Sequence, residues 1–225
     1  MEKNPHKGHR QRLKHRVIKE GIDNFEDHQI LELLLFYSIP MKDTNQLAHQ
    51  LIQTYGSLSA VFDADPKDLC EQVGVTENTA ILLTLIPSLA RRYQQSKFCE
   101  KAILNSTTKA GKYVMSLFTG RLNEAFYVIC LDSQNKVNQA TLLHEGTINE
   151  APVYPRLIVE TALRHQAVSI ILAHNHPGGS LKPSQPDLDV TRKIKAATEA
   201  ISITVVDHII VAGDGYYSFA ENRVL

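Results

Sequence analysis

Along the first hundred positions apolar residues recur every three or four places, the spacing of one helical face. "FEDHQILELLLFY" aligns Ile30, Leu33, Leu34 and Tyr37 in this way. "SIPMKDTN" ends that helix, and Asp43 or Thr44 can cap the next, "NQLAHQLIQTYG", which stops at Gly56. "SLSAVFDADPKDLCEQVG" reads as two short helices joined at Asp65-Pro66. "TENTAILLTLIPSLARRYQQ" reads as a longer helix with Pro87 as a kink point. With tight Gly turns and no alternating run, residues 1–98 are expected to form a compact all-α domain.

From about residue 99 the period changes. "QQSKFCEKAILNS" is polar and reads as the connection, and "TKAGKYVMSLF" as one more helix. "AFYVICLD" and "KVNQATLLHEG" are strand-like runs separated by the turn "SQN". A helix "YPRLIVETALRHQ", a buried strand "AVSIILAH", a helix "QPDLDVTRKIKAATEA" and a strand "ISITVVDHIIVAG" follow. Asp214-Gly215 then turns the chain into "YYSFA". Strands alternating with helices predict an α/β domain over 99–225, and an α+β two-domain chain as a whole.

Composition adds the expected setting. The 225 residues are 43% hydrophobic and 21% charged, ordinary for a soluble globular protein. With 24 basic and 24 acidic residues the net charge is zero, so no global field draws the molecule to nucleic acid. The first twenty residues are an exception, a basic arm with seven Lys/Arg against two Glu; the next eighty hold eleven acids and five bases. Cys70, Cys99 and Cys130 are far apart and form no C-x-x-C, which suits a reducing compartment. No apolar run approaches the ~20 residues that span a bilayer, and no signal-peptide pattern opens the chain. A cytoplasmic protein without a membrane partner is expected.

The candidate chemistry lies in "AHNHPGGSLKPSQPD", residues 173–187. Residues two apart on a strand point the same way, so His174 and His176 can reach one metal ion. They stand at the carboxyl end of a buried strand, where α/β sheets hold ligands. The loop returns the chain to Asp187, giving two imidazoles and a carboxylate. Three protein ligands leave a fourth tetrahedral position for water, as in catalytic zinc sites. The same spacing also suits a capped turn, with Ser184 at the N-cap and Asp187 three residues on. The two readings are compatible, because a capped helix can present its Asp to a metal.

His174, His176, Ser184 and Asp187 match the JAMM signature of MPN/JAB-domain metalloproteins without a gap. More closely, "ILAHNHPGGSLKPSQPDLDVTRKI", "VVDHIIVAGDGYYSF" and, in the first half, "GHRQRL…ILELLLFYSIP…YGSLSAVF" resemble the bacterial RadC family over nearly the whole chain. The resemblance implies an MPN/JAB fold for the second half, one zinc per chain, and hydrolysis of amide bonds in a protein or peptide. It also carries the family's customary link to DNA repair.

The JAMM pattern implies an upstream Glu as general acid/base and Ser184 as a hydrogen-bond donor to the oxyanion or water. Glu124, immediately before the first strand, matches the family's place for the acid, and Glu145 is the alternative. His208, polar within an apolar strand, reads as a core histidine satisfied by a backbone carbonyl, with orientation of a metal ligand as the other reading. The chain departs from the family at Gly178, where Ser is usual, and at Leu157, where Glu is usual.

"EQVGVTENTAILLTLIPSLARRY" resembles the helix-hairpin-helix of RadC-like proteins, in which two glycines let backbone N–H groups reach a DNA phosphate. Gly74 is present but Thr76 stands at the second position. Asp63, Asp65, Asp68, Glu71 and Glu77 surround it. The hairpin therefore reads as a degenerate packing element ahead of a DNA clamp. DNA remains a candidate partner through the basic arm and Arg91-Arg92, and a DNA-associated binding module with a structural or vestigial metal site is the alternative to the hydrolase.

Overall fold

The computed structural model describes residues 8–40, 42–97, 102–146 and 154–225. The first seven residues of the basic arm, Met41, residues 98–101 of the polar connection and residues 147–153 lie outside these. The chain divides into two compact units, Met1–Leu89 and Ala90–Leu225. No helix among the described residues is long and apolar enough to cross a membrane.

The first unit is helical: α1 His9–Glu20, α2 Asp27–Ser38, α3 Asn45–Tyr55, α4 Leu58–Phe62 and α5 Pro66–Cys70, with the start of α6, Glu77–Lys97. Short polar side chains set the boundaries. Ser57 and Asp65 accept hydrogen bonds from Ala60 N and Lys67 N at the starts of α4 and α5. Gly56 closes α3 at φ 91°, a left-handed conformation that glycine adopts without strain.

In α2 the buried face differs from the expected one. Leu31 and Leu35 are fully buried and Phe36 nearly so, while Tyr37 is 70% exposed. The run "ILELLLFY" is apolar almost all round, so its spacing fixes a helix but not its rotation. The helix in fact serves two clusters. Leu31 and Leu35 join the main core with Leu51, Leu69 and Leu83. Phe36, with Ile30 and Leu33 beside it, packs on Leu13 and Phe25.

Residues of the hairpin before α6 pack into the core of this unit. Leu69, Val75, Ala80 and Leu83 are all buried in one cluster. Thr76, at the position where the DNA-binding pattern has glycine, uses its Oγ1 to accept from Thr79 N at 3.4 Å. α6 runs through Pro87 to Lys97, so Gln94–Lys97 belong to the helix rather than to a bare connection.

The second unit holds α7 Thr107–Phe118, β1 Ala125–Leu131, β2 Val137–Glu145, α8 Pro155–Arg164, β3 Ser169–Asn175, α9 Gln185–Glu199, β4 Thr204–Ala212 and β5 Gly215–Ser218. The strands form one mixed sheet in the order β2-β1-β3-β4-β5. Only β3 and β4 are parallel, joined by the α9 crossover; the other neighbours are antiparallel.

β1 and β3 are buried along their whole length, because both sheet faces are covered. Tyr127, Ile129, Ile171 and Ala173 pack with Val114 and Leu117 of α7. Phe126, Val128, Ile170 and Leu172 pack with Ile158 of α8 and Ile194 of α9. Period two thus assigns His174 to the face that carries α9.

Candidate metal centre

His174 is the sixth residue of β3, and the ladder does not stop at the strand's end. His176 N donates to Val211 O at 2.8 Å, so the chain stays extended one residue further. The two imidazoles therefore leave the same side of the backbone. Gly179, at φ +82°, then turns the loop toward α9.

Asp187 reaches the same point through a capping box. Its backbone N donates to Ser184 Oγ at 3.3 Å, while Ser184 N and Oγ donate to Asp187 Oδ2 at 2.7 and 2.6 Å. Pro186 fits because the first turn of a helix needs no N–H there. Cap and ligand geometry thus coexist in one carboxylate.

Three donor groups converge. His174 Nε2 and His176 Nε2 are 3.0 Å apart. Asp187 Oδ1 is 3.2 Å from the first and Oδ2 3.6 Å from the second. Ligand atoms about 2.0–2.1 Å from a tetrahedral zinc ion lie about 3.3 Å from one another. Two imidazoles, one carboxylate and this spacing fit such an ion.

Electrostatics holds the group together. Burial works against ionisation of Asp187, but His174 and His176, with Ser184, outweigh it and keep the carboxyl well below the usual carboxylate range. Asp187 in turn raises His176 above the ordinary imidazole value, against the opposing effect of burial.

The outward ring nitrogens are also engaged. His176 Nδ1 donates to Ser180 O at 2.7 Å. His174 Nδ1 is 2.8 Å from His208 Nε2, and His208 Nδ1 is 2.6 Å from Thr191 Oγ1. The expected backbone carbonyl partner for His208 is therefore replaced by two side chains. Burial, and then the neighbouring His174, push His208 well below the ordinary imidazole value.

Glu124 and Glu145 occupy different surroundings. Glu124 lines a cavity of about 530 Å³ whose wall includes His176, Ser184 and Asp187. The segment that carries it is clamped by Asn175, whose Oδ1 accepts from Ala125 N at 2.7 Å and whose Nδ2 donates to Asn123 O at 3.0 Å. Glu145 instead pairs with Arg121 at 2.6 Å, and Arg121 also donates to the Tyr127 hydroxyl.

The sequence reading missed Asn175, Thr191 and Arg121. Asn175 left one signal, an amide closing the apolar run "SIILA"; Thr191 left only a hydroxyl on the inward side of α9. A side chain at Gly178 would meet nothing within 4 Å, so glycine there is not required by space. Leu157 is 45% exposed on α8.

A mixed sheet flanked by helices on both faces, with two histidines from a central strand and an aspartate from the next helix, fits a JAB-type domain. The RadC-like JAB domain family matches residues 104–224. The chain is also 35% identical over 215 residues, 96% of each chain, to a UPF0758 protein of Pseudoalteromonas translucida (strain TAC 125). It belongs to the RadC family.

Proposed function

We propose that this protein is a zinc-dependent hydrolase of the JAMM type, cleaving amide bonds in a peptide or protein substrate. The observation that carries the reading is the convergence of His174, His176 and Asp187 donor atoms within 4.8 Å of one another. Zinc held by these three residues supplies a Lewis acid for a carbonyl and a nucleophilic water at neutral pH.

The remaining work falls to the chain. Glu124, on the cavity shared with His176 and Asp187, takes a proton from the attacking water and returns it to the leaving nitrogen. Its place on that cavity favours Glu124 over Glu145 for this role. Ser184 donates to the developing oxyanion. For that step its hydroxyl proton turns from Asp187 Oδ2 toward the cavity, while its oxygen goes on accepting from Asp187 N. On the other side of His176 a second cavity, of about 720 Å³ and bounded by Lys112, Met115, Arg121 and Asp214, receives the flanking part of the substrate.

Metal analysis by mass spectrometry tests the reading. Protein reconstituted with zinc should hold about one ion per chain. His176→Ala and Asp187→Ala should each lose it. Glu124→Gln should keep the metal and lose about 10²–10⁴-fold in turnover of whichever peptide or isopeptide the wild type cleaves. A wild type that takes up no zinc would overturn the proposal.

A further inference from the structure

We propose that Thr191 and His208 are positioning residues that fix the tautomer of His174, so that its Nε2 faces the metal as a bare lone pair. This rests on the reading of His174 as a metal ligand and adds a device to it.

The chain begins at the backbone carbonyl of Asp187, which can only accept. Thr191 Oγ1 lies 2.5 Å from it, so the single hydroxyl proton of Thr191 is committed there. The 2.6 Å contact between Thr191 Oγ1 and His208 Nδ1 must then take its proton from the ring. His208 is fully buried, with its ring 4.6 Å from that of Phe219 and 5.9 Å from that of Phe126. An imidazole in such surroundings stays neutral and carries one proton. With that proton on Nδ1, His208 Nε2 can only accept.

It follows that the 2.8 Å contact to His174 takes its proton from His174 Nδ1. His174 is thereby held with a proton on Nδ1, which leaves Nε2 as the nitrogen that faces Asp187 and gives up its proton when a metal binds. The relay also ties the three elements together. Asp187 and Thr191 belong to α9, His208 to β4 and His174 to β3. Both candidate ligands at the ends of the relay are set by the same chain of bonds. Partners of this kind on a ligating imidazole are worth about 10–100-fold in metal affinity.

The test uses the full chain, with zinc affinity measured by competition against a chromophoric chelator and histidine protons located by nitrogen-15 NMR. Wild-type protein, with and without zinc, should show His208 protonated on Nδ1 and a coupling across the hydrogen bond from His174 Nδ1 to His208 Nε2. Thr191→Val, which removes the hydroxyl at nearly constant shape, should release His208 into a mixture of tautomers and weaken zinc about 10–100-fold. His208→Gln, which can still accept from His174, should bind zinc more tightly than His208→Leu. If the leucine variant fails to fold, the valine variant alone decides, with its melting curve as the control for a purely structural loss.

His208 protonated on Nε2, or unchanged zinc affinity in Thr191→Val, would overturn the relay while leaving the metal centre standing. Absence of zinc from the wild type would overturn the metal centre and the relay with it.

Discussion

Asn175 stands between the two histidines of "HNH", and on a strand the middle residue faces away from its neighbours. Its side chain therefore cannot join His174 and His176; it turns to the other edge of β3 and holds the chain on both sides of Glu124. Asn175→Leu should cost about 1–3 kcal/mol in urea denaturation, because it leaves the buried Ala125 N–H unpaired. His176 carries a separate prediction. Its pKa lies above the ordinary imidazole value, chiefly through its hydrogen bond with Asp187. In the metal-free protein that pairing stabilises the fold fully below the ordinary imidazole pKa of about 6.5, and the contribution is lost as pH rises through the raised value. Zinc must displace the same proton, so affinity should fall by about tenfold per pH unit once His176 is protonated. Thermal melts from pH 6 to 8 should thus move in opposite directions with and without zinc. Parallel trends would show that His176 is not a ligand.

At the level of elements, α7 meets β5 through a residue with no side chain. A Cβ on Gly111 would overlap the Tyr216 ring. In an exposed helix Gly→Ala stabilises by about 1 kcal/mol; here the overlap should reverse the sign, and Gly111→Ala should cost about 1–3 kcal/mol. In a Tyr216→Ala background the same change should stabilise, which chemical denaturation of the four variants would establish. This contact also shows where the sequence stops being informative. "TKAGKYVMSLF" announces a helix by its spacing, and a glycine inside it reads as a weak point rather than as a close approach. Partner choice is a long-range fact that local periodicity does not encode. The same limit explains α2, where an all-round apolar run fixed the element and left its rotation open. The strands were more legible, because β1 and β3 are buried on both faces and their apolar runs need no phase. The convergence of His174, His176 and Asp187 was legible for a similar reason: strand parity and a capping box are local rules, and both sit within fourteen residues of sequence. Of the relay, His208 was legible only as one of two readings and Thr191 not at all, since its links come from three elements.

For the whole molecule the question is whether a chain of zero net charge offers nucleic acid anything. The basic arm was the candidate, yet His9, Arg10 and Arg16 of its described part are engaged. His9 Nε2 bonds the buried Glu32 at 2.9 Å, and Glu32 is shared with Asn45. Arg10 donates to the carbonyls of Ile39 and Lys42, and its guanidinium lies 4.6 Å from the Phe36 ring centre. Arg16 bonds Glu20 and lies 4.2 Å from the ring centre of Phe25. These cations brace α1 on its neighbours, and the buried Leu13 anchors the same helix. Phosphate binding depends on releasing counterions from the nucleic acid with cations that are free to do so. Around the degenerate hairpin the charge is acidic, with Asp65, Asp68, Glu71 and Glu77 on or beside α5 and α6. Deleting residues 1–20 would remove part of the core and so confound any binding assay. Replacing Lys3 and Lys7 by glutamine changes charge without removing any residue, and a duplex of about 20 base pairs is long enough to report non-specific binding. At about 0.1 M salt the wild-type chain should leave such a duplex unshifted in a gel. A shift that persists there and disappears in the double glutamine variant would return the arm to service as a nucleic-acid contact.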